Sequence, residues 1–461
     1  MSLHDALDQL ELPLLPDVPA DRVSIQRHDP IDEATLALAA EFVDDVALNG
    51  DEAVRRRSEE LGDLGPGEAL VFERAELDQA LHQIDPRIRG LLERTAERIR
   101  IFAQAQLGSI SELTVTVPSG RAGHRCVPLA SAGCYAPAGR YPLPSSLLMT
   151  TIPARVAGVE TVVAASPHPQ AIMKAAAAVA GADLMLAVGG AQAIGAMAHG
   201  TASVPKCDTI VGPGNRWVTA AKQYVSRRVA IDMLAGPSEL LVLADETADA
   251  ELIAADLIAQ AEHDVDAWPA LGTTSAKLVP AVRAALARQL EDLPTQEIAR
   301  DALTRGAAVV VEDRAALFEL ADVLAVEHVQ VMMRDPDEAL DRLRNYGALF
   351  LGEISAEVFG DYGVGPNHTL PTGGAARHAA GLSVFNFIRL RTWLSNEDAV
   401  FATNPRTGSP GARRNPCAKN DSIRQPAAVS FADLISDVAL FARVEGLEGH
   451  ARAAEMRRRF T

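Results

Sequence analysis

Hydrophobic and polar positions along the chain follow the periods expected of helices and of buried strands. Helical spacing begins near Glu33 and stops at Asn49-Gly50, where a glycine follows the last periodic residue. A second long helix is predicted from Asp85-Pro86, because aspartate is a good N-cap and proline a good first helical residue. Residues 1–24 are rich in proline and aspartate and lack a period, so we predict an N-terminal arm there.

From about residue 131, short apolar runs typical of buried strands alternate with helical stretches. The predicted strands are 161–165, 184–188, 209–211, 240–243, 307–311 and 348–351. The predicted helices between them include 170–180, 191–198, 216–225 and 251–262. This alternation of strand and helix indicates βαβ units on mostly parallel sheets.

The length of this alternating region favours an α/β fold with two Rossmann-like modules over one very large sheet. We predict a first α/β domain from residues 25–130 together with 240–385, and a second from residues 131–239. Residues 386–461 are predicted to form a long loop, centred on 396–425, and a C-terminal helical tail from 431 to 459. A tail reached through a long loop can dock on a second subunit.

Composition excludes several function classes. The chain has 461 residues, and its formal net charge of −18 disfavours binding to nucleic-acid phosphates. The most apolar region, 171–200, is interrupted by Lys174 and Asp183, so no membrane span is expected. No secretory signal pattern opens the chain. The four cysteines form no CxxC pair, which favours free thiols and the cytoplasm; they are Cys126, Cys134, Cys207 and Cys417.

Four of the eleven histidines lie beside carboxylates or a carboxamide. Gln260 and His263 are three residues apart in a predicted helix, so they share a face and could bind one ion. A polar helix face is the alternative, since Glu262 and Asp264 are their neighbours.

Glu327-His328 follows an apolar run, 323–326, that we expect to end a strand. Strand ends carry active-site groups in α/β folds, and a carboxylate can orient a histidine that acts as a general base. Adjacent residues on a regular strand face opposite ways, so this pair requires a turn in the backbone.

Two further segments complete the candidate chemistry. Within 360–368, polar side chains stand among glycines: Asp361, Tyr362, Asn367 and His368. A solvated turn is the alternative there. Glu445 and His450 do not share a face of an ideal helix, although Gly446 and Gly449 could bring them to one place. Nitrogen and oxygen donors without cysteine suit zinc or a similar divalent ion that keeps room for a substrate.

Three glycine-containing segments lie next to predicted strands. Residues 189–192 and 212–215 each follow a strand, and residues 235–239 precede one. Backbone N–H groups in such loops can receive a phosphate or a ribose. No GxGxxG occurs at a strand-to-helix junction, so from the residues alone nucleotide binding stays open.

A series of short strings in a fixed order carries a family resemblance. They begin with Gly133-Cys134-Tyr135-Ala136-Pro137, Pro144-Ser145-Ser146, Gly189-Gly190-Ala191-Gln192-Ala193-Ile194, Val211-Gly212-Pro213-Gly214-Asn215 and Asp232-Met233-Leu234-Ala235-Gly236-Pro237-Ser238-Glu239. They continue with Ala259-Gln260-Ala261-Glu262-His263-Asp264, Glu327-His328, Gly365-Pro366-Asn367-His368, Pro371-Thr372-Gly373-Gly374 and Gly381-Leu382-Ser383-Val384. Through these strings the chain resembles the histidinol dehydrogenase family, from about residue 35 to its end.

The resemblance implies a zinc- and NAD-dependent enzyme that oxidises an amino alcohol, L-histidinol, to its acid in two steps through an aldehyde. The zinc ligands it implies, for one ion per subunit, are Gln260, His263, Asp361 and His450. The implied acid/base pair is Glu327 and His328. The implied substrate contacts are Ser238, His368 and Glu445, and the implied NAD contacts are Tyr135, Gln192 and Asn215. It also implies a homodimer with shared active sites, in which the C-terminal ligand comes from the partner.

The chain departs from the family's pattern in two places. Ala136, Ala138 and Arg140-Tyr141 alter the loop near the implied cofactor site, and the loop 396–425 is longer than the family's usual connection. An alternative is therefore a paralogue that oxidises another hydroxylated substrate, such as a sulfonated propanediol, with the same zinc and base. A further alternative is a non-catalytic zinc-binding homologue, against which the intact Glu327-His328 argues.

Overall fold

The computed structural model describes residues 13–25, 31–117, 120–138, 142–396 and 431–460. Its α-helices are α1 (Glu33–Asn49), α2 (Asp51–Leu61), α3 (Arg74–Gln83), α4 (Pro86–Gly108), α5 (Pro144–Ala157), α6 (Ala171–Ala180), α7 (Gly190–His199), α8 (Arg216–Val225), α9 (Ala250–Ala261), α10 (Leu278–Leu290), α11 (Gln296–Arg305), α12 (Arg314–Leu324), α13 (Glu338–Arg342), α14 (Val358–Asp361), α15 (Phe431–Val444) and α16 (Glu448–Glu455). Its strands are β1 (Val71–Glu73), β2 (Leu113–Val117), β3 (Gly120–Pro128), β4 (Ser131–Tyr135), β5 (Thr161–Ala165), β6 (Leu184–Leu186), β7 (Thr209–Val211), β8 (Ala230–Ile231), β9 (Glu239–Ala244), β10 (Trp268–Thr273), β11 (Ala307–Val310), β12 (His328–Met332), β13 (Ala348–Leu351) and β14 (Ile388–Asn396). Short 3₁₀ helices occupy Ala375–Arg377, Val384–Phe387 and Met456–Phe460.

Two mostly parallel sheets form the body of the molecule, which confirms the predicted α/β class. The first has six strands in the order β1-β6-β5-β4-β7-β8, with only β1 antiparallel to its neighbour. The second has five strands in the order β11-β10-β9-β12-β13, all parallel. The inner strands of both sheets, among them β4, β5, β9 and β10, are mostly apolar and buried, as expected where helices cover both faces, whereas the edge strands β1, β8 and β13 are partly exposed.

The predicted domain boundaries stay a prediction, although the structure bears on residues 25–130. In that range, β1 is the edge strand of the six-stranded sheet, and α1 packs on α7 and α8 beside the same sheet. In the N-terminal region, Leu15 is fully buried and Asp17 forms a parallel β-bridge to Ala308 in β11.

Local signals predicted the first two long helices correctly. The Asp32 carboxylate accepts the Thr35 N–H at 2.6 Å, and α1 ends at Gly50 with φ of 55°. The Asp85 carboxylate accepts the Arg87 N–H at 2.7 Å at the start of α4. A side-chain oxygen satisfies an N–H that the helix itself leaves free, so these caps define both helix starts.

The C-terminal segment, residues 431–460, packs on the body of the same chain. The predicted helical tail consists of two helices, α15 and α16, separated where Gly446 has φ of 75°, a value that glycine adopts without strain. Arg457 is fully buried and makes two hydrogen bonds of 2.7 Å to the carboxylate of Asp256 in α9. The predicted loop 396–425 lies outside the described residues except for Asn396, the last residue of β14.

A small antiparallel sheet, in the order β14-β3-β2, precedes that segment.

Cys126, Cys134 and Cys207 are buried with free thiols, and Cys417 lies outside the described residues. Among the helices that the structure describes, none combines the length and apolarity needed to cross a bilayer.

Candidate active site and metal centre

Glu327 and His328 lie at the amino-terminal edge of the five-stranded sheet. His328 is the first residue of β12, where it is paired with Leu240 and Ala348. The expectation that a strand ends just before this pair is wrong. Helix α12 continues to Leu324, and Ala325 ends it in the left-handed conformation with φ of 49°. The apolar run 323–326 therefore spans a helix end and a turn, and that turn lets both side chains lie together.

The surroundings of His328 favour a neutral imidazole with one free nitrogen. Its Nδ1 lies 3.2 Å from the carbonyl oxygen of Glu239 and 3.5 Å from Oε2 of Glu327. Burial lowers the pKa of His328, so the ring is uncharged near neutral pH. With Nδ1–H donated to the carbonyl, Nε2 is left to accept a proton.

Glu327 is held by the neighbouring strand. Its Oε2 accepts the backbone N–H of Glu239 at 3.1 Å, across from the imidazole of His328. Burial, with nearby carboxylates such as Asp361, raises the pKa of Glu327 well above its usual range. A carboxyl in this setting favours its protonated form, which suits a group that exchanges protons with a base beside it.

Three candidate metal ligands converge although they are far apart in the sequence. His263, Asp361 and His450 each offer one donor atom, and these atoms lie within 4.8 Å of one another. The two Nε2 atoms face each other at 2.7 Å, and Oδ2 of Asp361 lies 3.8 Å from His263 and 3.5 Å from His450. All three groups therefore direct a potential donor atom at one small volume.

The electrostatics of this cluster match a cation site. Although burial opposes it, hydrogen bonds to Asp361 and Glu262 raise the pKa of His450 to about 10. The pKa of Asp361 is lowered, because its hydrogen bond to His450 and the nearby imidazoles outweigh the effect of burial. The cluster thus holds a positive charge next to a carboxylate, and a divalent ion can take the place of that proton.

Gln260 supplies the remaining candidate ligand. It lies in the last turn of α9 with no exposed surface, and neither polar atom of its side-chain amide has a hydrogen-bond partner among the described residues. Leaving a buried amide unpaired costs about 1–3 kcal/mol. Two imidazole nitrogens, a carboxylate and an amide oxygen fit zinc or a similar divalent ion.

The candidate substrate contacts lie around this cluster. His368 donates from Nδ1 to the carbonyl oxygen of Asp361 at 3.1 Å. His328, Asp361 and His368 line one cavity of about 640 Å³, whose other walls are largely apolar and include Phe350 and Phe359. Ser238 directly precedes β9, beside the Glu239 backbone that holds the acid/base pair.

Glu445 lies just after α15 and is held by one residue of α5. Its Oε1 accepts both the backbone N–H and the hydroxyl of Ser145, at 3.0 and 2.7 Å. Burial raises the pKa of Glu445 to about 7. The predicted approach of Glu445 and His450 depends on the break between α15 and α16, as Gly446 suggested.

The candidate cofactor contacts lie at the carboxyl-terminal edge of the six-stranded sheet. Tyr135 is the last residue of β4, Gln192 is in the first turn of α7, and Asn215 is the N-cap of α8. A side chain on Gly212, which has φ of 118°, would come within 1.9 Å of the Tyr135 carbonyl oxygen. Gln192 donates to Asp63 at 3.2 Å, and Asn215 accepts the N–H groups of residues 217 and 218.

Comparison with known proteins decides the family. The histidinol dehydrogenase family profile matches residues 26–407. The chain belongs to this family. It is 43% identical over 419 residues to the histidinol dehydrogenase of Thermus thermophilus, covering 90% of this chain and 92% of that one. It is also 36% identical to the enzyme of Cupriavidus pinatubonensis, covering 92% and 91%. The crystal structure of histidinol dehydrogenase from Elizabethkingia anophelis superposes with a TM-score of 0.79 at 28% identity, covering 98% of both chains.

Two carboxylates at the site of this histidinol dehydrogenase family member were not singled out from the sequence. Glu262 contacts His450, and the sequence pattern alone made it part of a polar helix face. Glu357 has Oε2 3.8 Å from Nδ1 of His328, and both of its buried oxygens lack a hydrogen-bond partner among the described residues. No motif or spacing marks Glu357, since only the fold brings it to β12.

Proposed function

We propose that this protein oxidises L-histidinol to L-histidine through histidinal, using one zinc ion per subunit and two molecules of NAD per substrate. The observation that carries the proposal is the convergence of His263, Asp361 and His450 beside the buried pair Glu327 and His328. Membership of the histidinol dehydrogenase family supports the substrate and the reaction.

The metal would be held by Gln260, His263, Asp361 and His450, and when bound it would orient the substrate and polarise its oxygen. NAD, when bound, would accept a hydride in each of the two oxidations. We assign Tyr135, Gln192 and Asn215 to the cofactor, because they share the edge of a parallel sheet where α/β folds bind nucleotides.

His328 acts as the base in both oxidations. In the first, Nε2 accepts the hydroxyl proton as a hydride leaves the adjacent carbon, so the alcohol becomes an aldehyde. In the second, His328, after releasing that proton to solvent, accepts a proton from the water that attacks the aldehyde carbon, and loss of a second hydride would give the acid. The neutral ring, with Nδ1–H donated to Glu239, has the protonation state that this role needs.

Recognition of the amino alcohol falls to groups around the metal cluster. A carboxylate at Glu445, fixed through Oε1 by Ser145, suits a cationic or N–H-bearing part of the substrate. His368 has its Nε2 free because Nδ1 is used by Asp361, and it lines the same cavity as His328. We assign Ser238, His368 and Glu445 to substrate binding.

We further propose a homodimer in which the segment 431–460 is exchanged between subunits. Within one chain this segment reaches the cluster through His450 and is anchored by Arg457 and Asp256, and identical contacts could form between two chains. Co-expressing His263→Ala with His450→Ala tests the exchange. If the sites are shared, mixed dimers should recover roughly half of the activity. One of their two sites then combines an intact His263 from one subunit with an intact His450 from the other. Sites built within single chains would stay inactive.

The enzyme assay is direct. Purified protein loaded with zinc should form two NADH per L-histidinol consumed, and removing the metal with a chelator should stop NADH formation. NADH with another alcohol and none with L-histidinol would contradict the proposed substrate.

A second candidate substrate class is tested because one relative is named a homolog of histidinol dehydrogenase. The chain is 43% identical over 358 residues to histidinol dehydrogenase homolog 1 of Mesorhizobium japonicum, covering 76% of this chain and 71% of that one. This identity equals that to the Thermus enzyme. A panel with L-histidinol and other hydroxylated compounds, including a sulfonated propanediol, distinguishes the two candidates by their kcat/KM.

A further inference from the structure

Glu262 connects the C-terminal segment to the candidate metal centre through a single carboxylate. It follows α9 directly, and its side chain has no exposed surface. Oε1 accepts both the backbone N–H and the ring Nδ1–H of His450, each at 2.8 Å. Oε2 accepts the hydroxyl of Thr295 at 2.7 Å. Both carboxylate oxygens are therefore used, and both lie in the interior.

The contact to the backbone gives α16 a cap from another part of the chain. Helix α16 begins at Glu448, and its N-cap, Leu447, supplies no side-chain hydrogen bond. The first N–H groups of a helix need outside partners, and a negative charge is favourable at that end. Glu262 meets both needs, because it accepts the N–H of His450, the third residue of the helix.

The contact to the ring fixes how His450 is presented to the metal. With Nδ1–H donated to Glu262, Nε2 is the ring nitrogen turned toward the cluster, where it lies 2.7 Å from Nε2 of His263. A carboxylate behind a metal-bound histidine fixes the ring orientation and makes the ligand more basic, and its loss typically costs 10–100-fold in metal affinity.

Close packing keeps this carboxylate in place. A Cβ added to Gly449 would lie 2.8 Å from both Cδ and Oε1 of Glu262. This separation is too short for any side chain, and the buried Glu262 has Thr295 on its other oxygen. An alanine at Gly449 would therefore displace the carboxylate without altering its chemistry.

We propose that Glu262 is a positioning residue that couples metal binding to docking of the C-terminal segment. Because one carboxylate holds both the helix start and the ligand ring, an ion at the cluster stabilises the docked segment, and the docked segment strengthens ion binding. Such coupling is reciprocal. The inference rests on the proposed function only in taking zinc as the ion.

The test compares Glu262→Ala, Glu262→Gln and Gly449→Ala with the parent protein. Glu291→Gln is the matched control, since it removes a carboxylate from an exposed position just after α10. Two quantities are measured: the zinc dissociation constant by competition with a chelator, and hydrogen exchange of the amides in 448–455 with and without zinc.

In Glu262→Ala we expect zinc binding to weaken about 10–100-fold. The amides of 448–455 should exchange faster, and zinc should no longer protect them. Glu262→Gln keeps an acceptor for both His450 N–H groups and should recover most of the protection and part of the affinity. Gly449→Ala should fall between these two, and the control should match the parent protein.

Parent-like zinc affinity in Glu262→Ala, or equal zinc-induced protection in all variants, would overturn the coupling. If Glu262→Ala does not fold, Thr295→Val replaces it in the test, because it removes only the hydrogen bond from Thr295 to Glu262. An unchanged zinc affinity in Thr295→Val would also contradict the coupling. Assaying the parent with L-histidinol separates the two proposals. Coupled zinc binding without NADH formation contradicts the proposed function alone, whereas NADH formation with an unaffected Glu262→Ala contradicts the coupling alone.

Discussion

The candidate site residues lie at opposite edges of the two parallel sheets. On the five-stranded sheet, Glu327 and His328 lie where β12 begins, with Ser238 just before β9. On the six-stranded sheet, Tyr135 is the last residue of β4, and Asn215 follows the end of β7 as the N-cap of α8. Open α/β sheets usually bind ligands at their carboxyl-terminal edge. The six-stranded sheet follows that rule for the proposed cofactor, whereas the acid/base pair departs from it.

The two regions also differ in how their polar side chains are used. At the metal cluster, Gln260 is buried without a hydrogen-bond partner among the described residues, and donor atoms of His263 and His450 face each other. On the cofactor side, Gln192 is bonded to Asp63, and Asn215 caps a helix. Substitutions at the cluster should therefore affect ligand binding above all, while those on the cofactor side should also affect stability.

The largest effect is expected from His328→Ala. Loss of the base should lower kcat about 10²–10⁴-fold, while zinc content stays near one per subunit, because His328 is not among the proposed ligands. Metal analysis and NADH formation measure the two quantities. His378→Ala, at an exposed histidine, is the control. Zinc loss in His328→Ala would mean that its assigned role is wrong.

Next in size is the effect of His263→Ala on metal binding. Removal of a ligand should weaken zinc binding by more than the 10–100-fold typical of an outer partner, and activity should fall with metal content. NAD binding, followed by titration calorimetry, should be unchanged because the residues proposed to bind the cofactor lie on the other sheet. A parallel loss of NAD affinity would break the distinction between the two regions.

Smaller effects are expected from Gln192→Ala and Asn215→Ala. Each should raise the KM for NAD up to about tenfold, which corresponds to roughly one hydrogen bond, with zinc content unchanged. Asn215→Ala should also lower the free energy of unfolding by about 0.5–2 kcal/mol, because it removes the N-cap of α8. Steady-state kinetics and urea unfolding measure these changes. An unchanged KM for NAD in both variants would contradict the assignment of Gln192 and Asn215 to the cofactor site.

Local sequence signals were sufficient for much of the fold. The helix start near Glu33 follows from hydrophobic periodicity and the start at Asp85 from capping chemistry, and the buried strands β5, β6, β7 and β9 follow from short apolar runs. The strand expected before Glu327 failed, because the run 323–326 is equally apolar at a helix end. Apolarity alone does not distinguish these two structures.

The candidate site depended far more on tertiary structure. His263 and His450 are distant in sequence, and no spacing rule predicts that their Nε2 atoms face each other; the family resemblance named both residues. Glu262 was missed because a carboxylate beside a ligand has the pattern of a solvent-exposed helix face. Its role depends on α16, which packs on it from the far end of the chain.

Anomalous diffraction at the zinc edge, from crystals grown with zinc, tests the central claim most directly. One peak per chain is expected, about 2.0–2.2 Å from Nε2 of His263, Nε2 of His450 and oxygens of Asp361 and Gln260. The histidines could come from one chain or from two. A peak bound by other residues, or no peak beside His263 at saturating zinc, would contradict the proposed metal centre.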